Sequence, residues 1–104
     1  MTDRRRSVRR SAGEARWAAA RLRPGRDVAL VDIGEGGVLI ETPARLFPGT
    51  RVVLQFIAPG GSVSVRGRVV RCEVAALDPS RGVRYRGAVS FDERQHDLGE
   101  LATR

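Results

Sequence analysis

From Val83 to Phe91 the sequence alternates without a break. Val83, Tyr85, Gly87, Val89 and Phe91 fall on one side, and Arg84, Arg86, Ala88 and Ser90 on the other. A period of two belongs to a β-strand with one face in a core and the other in solvent. The same period runs through Ser62 to Val74, where Val63, Val65, Gly67 and Val69 oppose Ser64, Arg66 and Arg68. After Val69 the apolar set passes to Val70, Cys72 and Val74. Such a change of face predicts a bulge or bend within one long strand. Shorter apolar runs cover Val28 to Ile33, Val38 to Ile40 and Arg51 to Ile57. Turn signals separate these runs: Pro24-Gly25, Gly34 to Gly37, Pro48-Gly49, Pro59-Gly60-Gly61 and Asp78 to Gly82.

The two ends are less regular. Arg16 to Arg23, with Trp17, Ala18, Ala20 and Leu22, reads as a strand, although its alanines also favour helix. Asp92 to Leu101 reads as a short terminal helix, with Asp92 as its cap and Leu98 and Leu101 on one face; Gly99 weakens it. Five to seven short strands and one short helix predict an all-β fold, a small antiparallel barrel whose closure removes strand edges. A chain of 104 residues has room for one domain with a modest core.

Residues 1–14 stand apart from this pattern. They are charged and nearly devoid of apolar side chains, so they are expected to form a flexible arginine-rich arm ahead of a barrel domain at 15–104. Arg5 and Arg9, like Arg6 and Arg10, are four apart and would repel each other on a helix. The formal net charge is +7, and every basic residue is Arg. Guanidinium groups bind phosphate bidentately and stack on flat rings. The excess fits an anionic partner, be it nucleic acid, a membrane surface or a nucleotide. No apolar run approaches the roughly 20 residues needed to span a bilayer, and none follows the basic start as in a signal peptide. A cytoplasmic protein without membrane insertion is expected.

The residues that support catalysis are sparse. The single His96 lies near the C-terminus, no Ser/His/Asp set or paired carboxylates stand out, and Gly34-Glu35-Gly36-Gly37 lacks the Lys-Ser/Thr of a phosphate loop. Cys72 is alone, which excludes an internal disulfide, and it reads as a small core or interface residue. No metal site and no catalytic residue is expected; binding is the better reading. An arginine can hold a phosphate or the O6/N7 edge of guanine. Asp32, at a strand end before the glycine-rich turn, can accept from guanine N1–H and N2–H. It can equally bond backbone amides in an ordinary turn. Glycines there would permit positive φ and close approach of a ligand.

Three pieces in order resemble the PilZ domain family: Arg5-Arg6-Ser7-Val8-Arg9, then Asp32-Ile33-Gly34-Glu35-Gly36-Gly37, then Tyr85-Arg86-Gly87-Ala88-Val89-Ser90-Phe91. Gly67-Arg68-Val69-Val70-Arg71 is similar to the family's middle-strand signature. The resemblance implies a six-stranded antiparallel split barrel that binds the bacterial second messenger cyclic di-GMP, often as a stacked pair. By that resemblance the ligand residues are Arg5, Arg9, Asp32, Gly34 and Gly37, with Arg4, Arg6 and Arg10 as additional candidate contacts. Arg6/Arg10 fit the same spacing as Arg5/Arg9. Arg5/Arg9 are preferred because the family often has Arg-Arg-Arg-x-x-Arg. The arm would fold over the ligand and present the new surface to a protein effector.

Two positions depart from the family. Gly34 stands where it carries Ser, which removes a hydroxyl contact. In the late strand the aliphatic residue between Arg and Gly is absent, which predicts a deletion or a shifted bulge. A PilZ adaptor that binds no nucleotide and works by protein contact is therefore the alternative. A third reading is a nucleic-acid-binding barrel using Arg66, Arg68, Arg84 and Arg86; it is disfavoured because the chain has few aromatics on which to stack bases.

Overall fold

The computed structural model of the chain describes residues 10–11, 19–23, 25–58 and 60–95, with the backbone alone at 10, 11 and 19. Seven strands follow one another: β1 (Arg10–Ser11), β2 (Ala19–Leu22), β3 (Arg26–Ile33), β4 (Gly37–Thr42), β5 (Arg51–Ala58), β6 (Gly61–Asp78) and β7 (Gly82–Phe91). All pairings are antiparallel. Strands β2 to β7 close on themselves in the order β3-β2-β5-β6-β7-β4, with β4 returning to β3. The described residues thus form the closed six-stranded barrel expected. The two-residue β1 pairs with the far end of β3, beyond the stretch that β2 occupies.

The alternation read from the sequence decides what goes inside. Val65 and Val69 of β6, Val89 and Phe91 of β7, Leu54 and Phe56 of β5, and Val38 and Ile40 of β4 are buried together with Ala20, Leu22, Val28 and Ile33. Phe56 and Phe91 meet edge to face across this core, with centroids 6.1 Å apart and planes at 86°. The turns behave as their residues dictate: Gly49, Gly60 and Gly82 each take a left-handed φ, of 91°, 97° and 85°.

The change of face after Val69 is a bulge. The β6–β7 register shifts between Val69 and Arg71, and again between Val74 and Ala76. Both extra residues lie in β6, while β7 pairs with β4 without interruption from Gly37↔Ser90 to Thr42↔Tyr85. The irregularity expected beside the late strand is therefore taken up by its neighbour. The second bulge also carries β6 on to Asp78, beyond the expected end at Val74. Strand β2 is shorter than the Arg16–Arg23 reading within the described residues, and Trp17 lies outside them. Residues 92–95 are not helical: the Asp92 N–H donates to the Arg66 carbonyl at 3.0 Å and the Gln95 N–H to the Glu35 carbonyl at 2.8 Å. The rest of the expected terminal helix, with His96, lies outside the described residues.

Candidate ligand-binding site

Asp32 is the penultimate residue of β3. Its neighbour Ile33 is 1% exposed and faces the core, which turns the half-buried Asp32 to the outer surface. The registers carry one row across the outside of the barrel: Ser11 opposite Asp32, Asp32 opposite Leu39, Leu39 opposite Ala88, and Ala88 opposite Arg71. Asp32 and Arg71 bound the row, and Leu39 and Ala88 make an apolar floor between them. The bulge brings Val70 beside Arg71, with Val70 57% exposed. Together with Gly36, Gly37 and Ser90 these residues line a concavity of about 420 Å³. That volume suits a small-molecule ligand.

The turn from Gly34 to Gly37 closes one end of this surface. The Gly34 N–H donates to the Gly37 carbonyl at 3.0 Å. The two residues between them are tied to the end of β7 and the chain beyond it: the Phe91 N–H donates to the Gly36 carbonyl at 2.9 Å, and Arg94 Nη2 to Glu35 Oε1 at 2.7 Å. None of the three glycines of this turn uses the positive φ that glycine permits. At Gly37 the missing side chain answers to packing, since a Cβ there would stand 2.5 Å from the Val89 carbonyl oxygen. Any other residue here would force the backbones of β4 and β7 to shift apart.

The predicted site residues are brought together unevenly. Asp32, Gly34 and Gly37 lie on one strand end and its turn, and Asp32 and Gly37 line the concavity. Arg4, Arg5, Arg6 and Arg9 lie outside the described residues. Arg10 is placed by its backbone, opposite Ile33. Sequence reasoning missed Leu39, Val70, Arg71, Ala88 and Ser90 as lining residues. Ala88 and Ser90 were legible as the outward positions of the β7 alternation, whereas Val70 and Arg71 depend on the bulge. Of the arginines read as a nucleic-acid face, Arg86 is held by Glu41, with Nη2 to Oε2 at 2.6 Å, and faces Glu73 across the β6–β7 ladder. Cys72 is partly buried, and its Sγ accepts the Leu46 N–H at 3.4 Å. Among the described residues no group of His, Cys, Asp or Glu is placed to hold a metal, and no helix is long and apolar enough to cross a membrane.

The PilZ domain family model matches residues 3–101, nearly the whole sequence, and the chain belongs to that family. Two solved structures share the fold. The inhibitor of motility MotI/DgrA from Bacillus subtilis superposes with a TM-score of 0.67 at 17% identity, over 97% of this chain and 49% of that one. The MrkH–c-di-GMP complex of K. pneumonia gives a TM-score of 0.61 at 20% identity, over 98% of this chain and 50% of that one. The chain thus spans about half the length of each. No curated protein matches the sequence.

Proposed function

We propose that this chain is a cyclic di-GMP receptor domain in which residues 1–14 fold over a ligand seated on the Asp32–Arg71 surface. The observation that carries the reading is the pairing of β1 with β3. Ser11 lies opposite Asp32, so the chain that leaves the arginine cluster is fastened beside the carboxylate expected to hold guanine. From there Arg9 and Arg5 are close enough in sequence to reach the same ligand, gripping its phosphates and covering a guanine face. Asp32 accepts from the guanine edge, and the Gly34–Gly37 turn supplies backbone. Membership of the PilZ family and the bound nucleotide in the MrkH complex support the choice of ligand. The role is binding rather than catalysis, and the ordered arm relays the signal to a protein effector.

Gly34 favours a second reading. Without the serine hydroxyl, a lost hydrogen bond of about 1.5–3 kcal/mol lowers affinity roughly ten- to a hundredfold, and the domain would then act as an adaptor without nucleotide. Isothermal titration with cyclic di-GMP at physiological salt, with GTP as control, separates the two. Selective saturable binding that is lost in Arg5→Ala/Arg9→Ala is the expected result. No heat up to about 100 µM, weaker than roughly −5.5 kcal/mol, together with binding gained by Gly34→Ser, would establish the adaptor. Unchanged affinity in the double-arginine variant would remove the arm from the site.

A further inference from the structure

A second groove crosses the barrel on the β2–β5 side. Two adjoining concavities of about 290 and 350 Å³ share Arg23, Arg51 and Val52 and form one channel. Leu22, Leu46, Val52 and Val69 give it an aliphatic floor. Its walls carry Arg23, Arg26, Arg45, Arg51 and Arg66, against a single carboxylate, Asp92, which is 3.9 Å from Arg51. Among the described residues the guanidinium groups of Arg23, Arg26, Arg45 and Arg66 pair with no carboxylate. Four like charges held around an apolar floor are unfavourable by themselves and are relieved by an anion.

The same groove exposes an aromatic ring. Phe47 is 63% exposed, yet its loop is well fastened. The Gly49 N–H donates to the Val69 carbonyl at 2.8 Å, the Thr50 N–H to the Phe47 carbonyl at 3.1 Å, and the Leu46 N–H to Cys72 Sγ. The guanidinium of Arg45 lies 5.6 Å from the Phe47 ring centroid. Aromatic and arginine side chains are the types enriched where proteins meet. Single-stranded nucleic acid suits the groove less well, since it needs successive rings for stacking and Phe47 is the lone aromatic in the lining, already faced by Arg45.

We propose that this groove docks an acidic segment of a partner protein. Its carboxylates pair with Arg23, Arg26 and Arg45, and an apolar side chain seats on Leu46 and Val52 beside Phe47. Arg26 and Asp32 stand at opposite ends of β3, on the order of 20 Å apart along the strand. The groove is therefore separate from the nucleotide surface, and its occupation does not depend on cyclic di-GMP.

The test uses the full chain labelled with 15N and three probes of equal length: a Glu-rich peptide carrying two leucines, poly-Glu, and oligo(dT). The leucine-bearing peptide is expected to saturate, with amide shifts confined to the groove, at residues 22–26, 44–53 and 66–69. Arg26→Gln/Arg45→Gln should weaken it about tenfold or more, and Phe47→Ala should weaken it without changing the spectrum elsewhere. Either variant should bind cyclic di-GMP as the wild type does, whatever that affinity is. Tighter binding of oligo(dT), equal binding of poly-Glu, shifts spread over arginine-bearing segments outside the groove, or unchanged affinity in the variants would each overturn the proposal.

Discussion

At Gly37 two demands meet in one residue. It belongs to the turn that borders the nucleotide surface, and it lies where the β4 backbone passes against the Val89 carbonyl. The neighbouring Gly36 has open space where its Cβ would be, and its φ is not left-handed. The two glycines should therefore respond differently to the same change. Gly37→Ala is expected to destabilise by about 1–3 kcal/mol, the range of overpacked sites, whereas Gly36→Ala should be neutral or slightly stabilising. Thermal or urea unfolding of both variants checks this; equal stability would mean that β4 and β7 separate readily. Asp32 was legible in the sequence as a strand-end carboxylate because hydrophobic runs flank it on both sides. The reason for Gly37 was not, because the nearby carbonyl comes from a residue more than fifty positions away in the chain.

Among the described residues, the element most exposed to solvent is the outer part of the β6–β7 hairpin. Beyond Arg68, β6 has no pairing with β5, and from Gly82 to Arg84, β7 has none with β4. Leu77 and Val83 face each other there, 76% and 37% exposed. The turn that joins the strands is organised by Asp78. Its Oδ1 accepts the Ser80 N–H at 2.9 Å, the Arg81 N–H at 3.0 Å and the Ser80 hydroxyl at 3.0 Å. The Ser80 backbone amide foremost, then that of Arg81 and the Ser80 hydroxyl, hold the carboxyl below its ordinary value. A depressed folded pKa means that the ionised form supports the turn above the unfolded value of roughly 3.9. That support is lost as pH falls through the lower folded value. Carboxyl NMR should find Asp78 titrating below an ordinary aspartate, with the hairpin amides loosening over the same range while the barrel stays closed. In Asp78→Asn the turn should persist without that pH dependence. A midpoint at or above roughly 3.9 would sink the idea. The sequence signalled this turn through Asp78-Pro79-Ser80-Arg81-Gly82, and it signalled the first bulge through the change of face at Val70. It concealed the second bulge, because Val74-Ala75-Ala76-Leu77 is apolar throughout and has no period to break. Strand β1 was equally hidden, since two residues are too few to show a period.

Over the whole molecule, the closed barrel spreads an arginine excess around a small apolar core. The basic groove was not legible in the sequence because its residues come from five separate segments, around 22–26, 44–47, 50–53, 66–69 and 92, that only closure brings together. With a net charge of +7, repulsion among arginines opposes the compact state. The described ion pairs offset little of it. Arg21–Asp27, Arg51–Asp92 and Arg94–Glu35 each have a cation at least 46% exposed, where a pair contributes about 0–1 kcal/mol. Arg86–Glu41 is closer, at 2.6 Å, and better shielded from salt. Raising sodium chloride from about 10 mM to about 150 mM shortens the screening length from ~30 Å to ~8 Å. That removes long-range repulsion across the barrel while leaving the Arg86–Glu41 pair largely intact. The melting temperature is therefore expected to rise with salt, each kcal/mol of relieved repulsion being worth about 4–8 °C in a domain of this size. A dianion such as sulfate should raise it further at equal ionic strength, by occupying the arginine-lined surfaces rather than only screening them. A melting temperature that stays flat or falls would show that the surface ion pairs, and not the arginine excess, dominate the electrostatics of the fold.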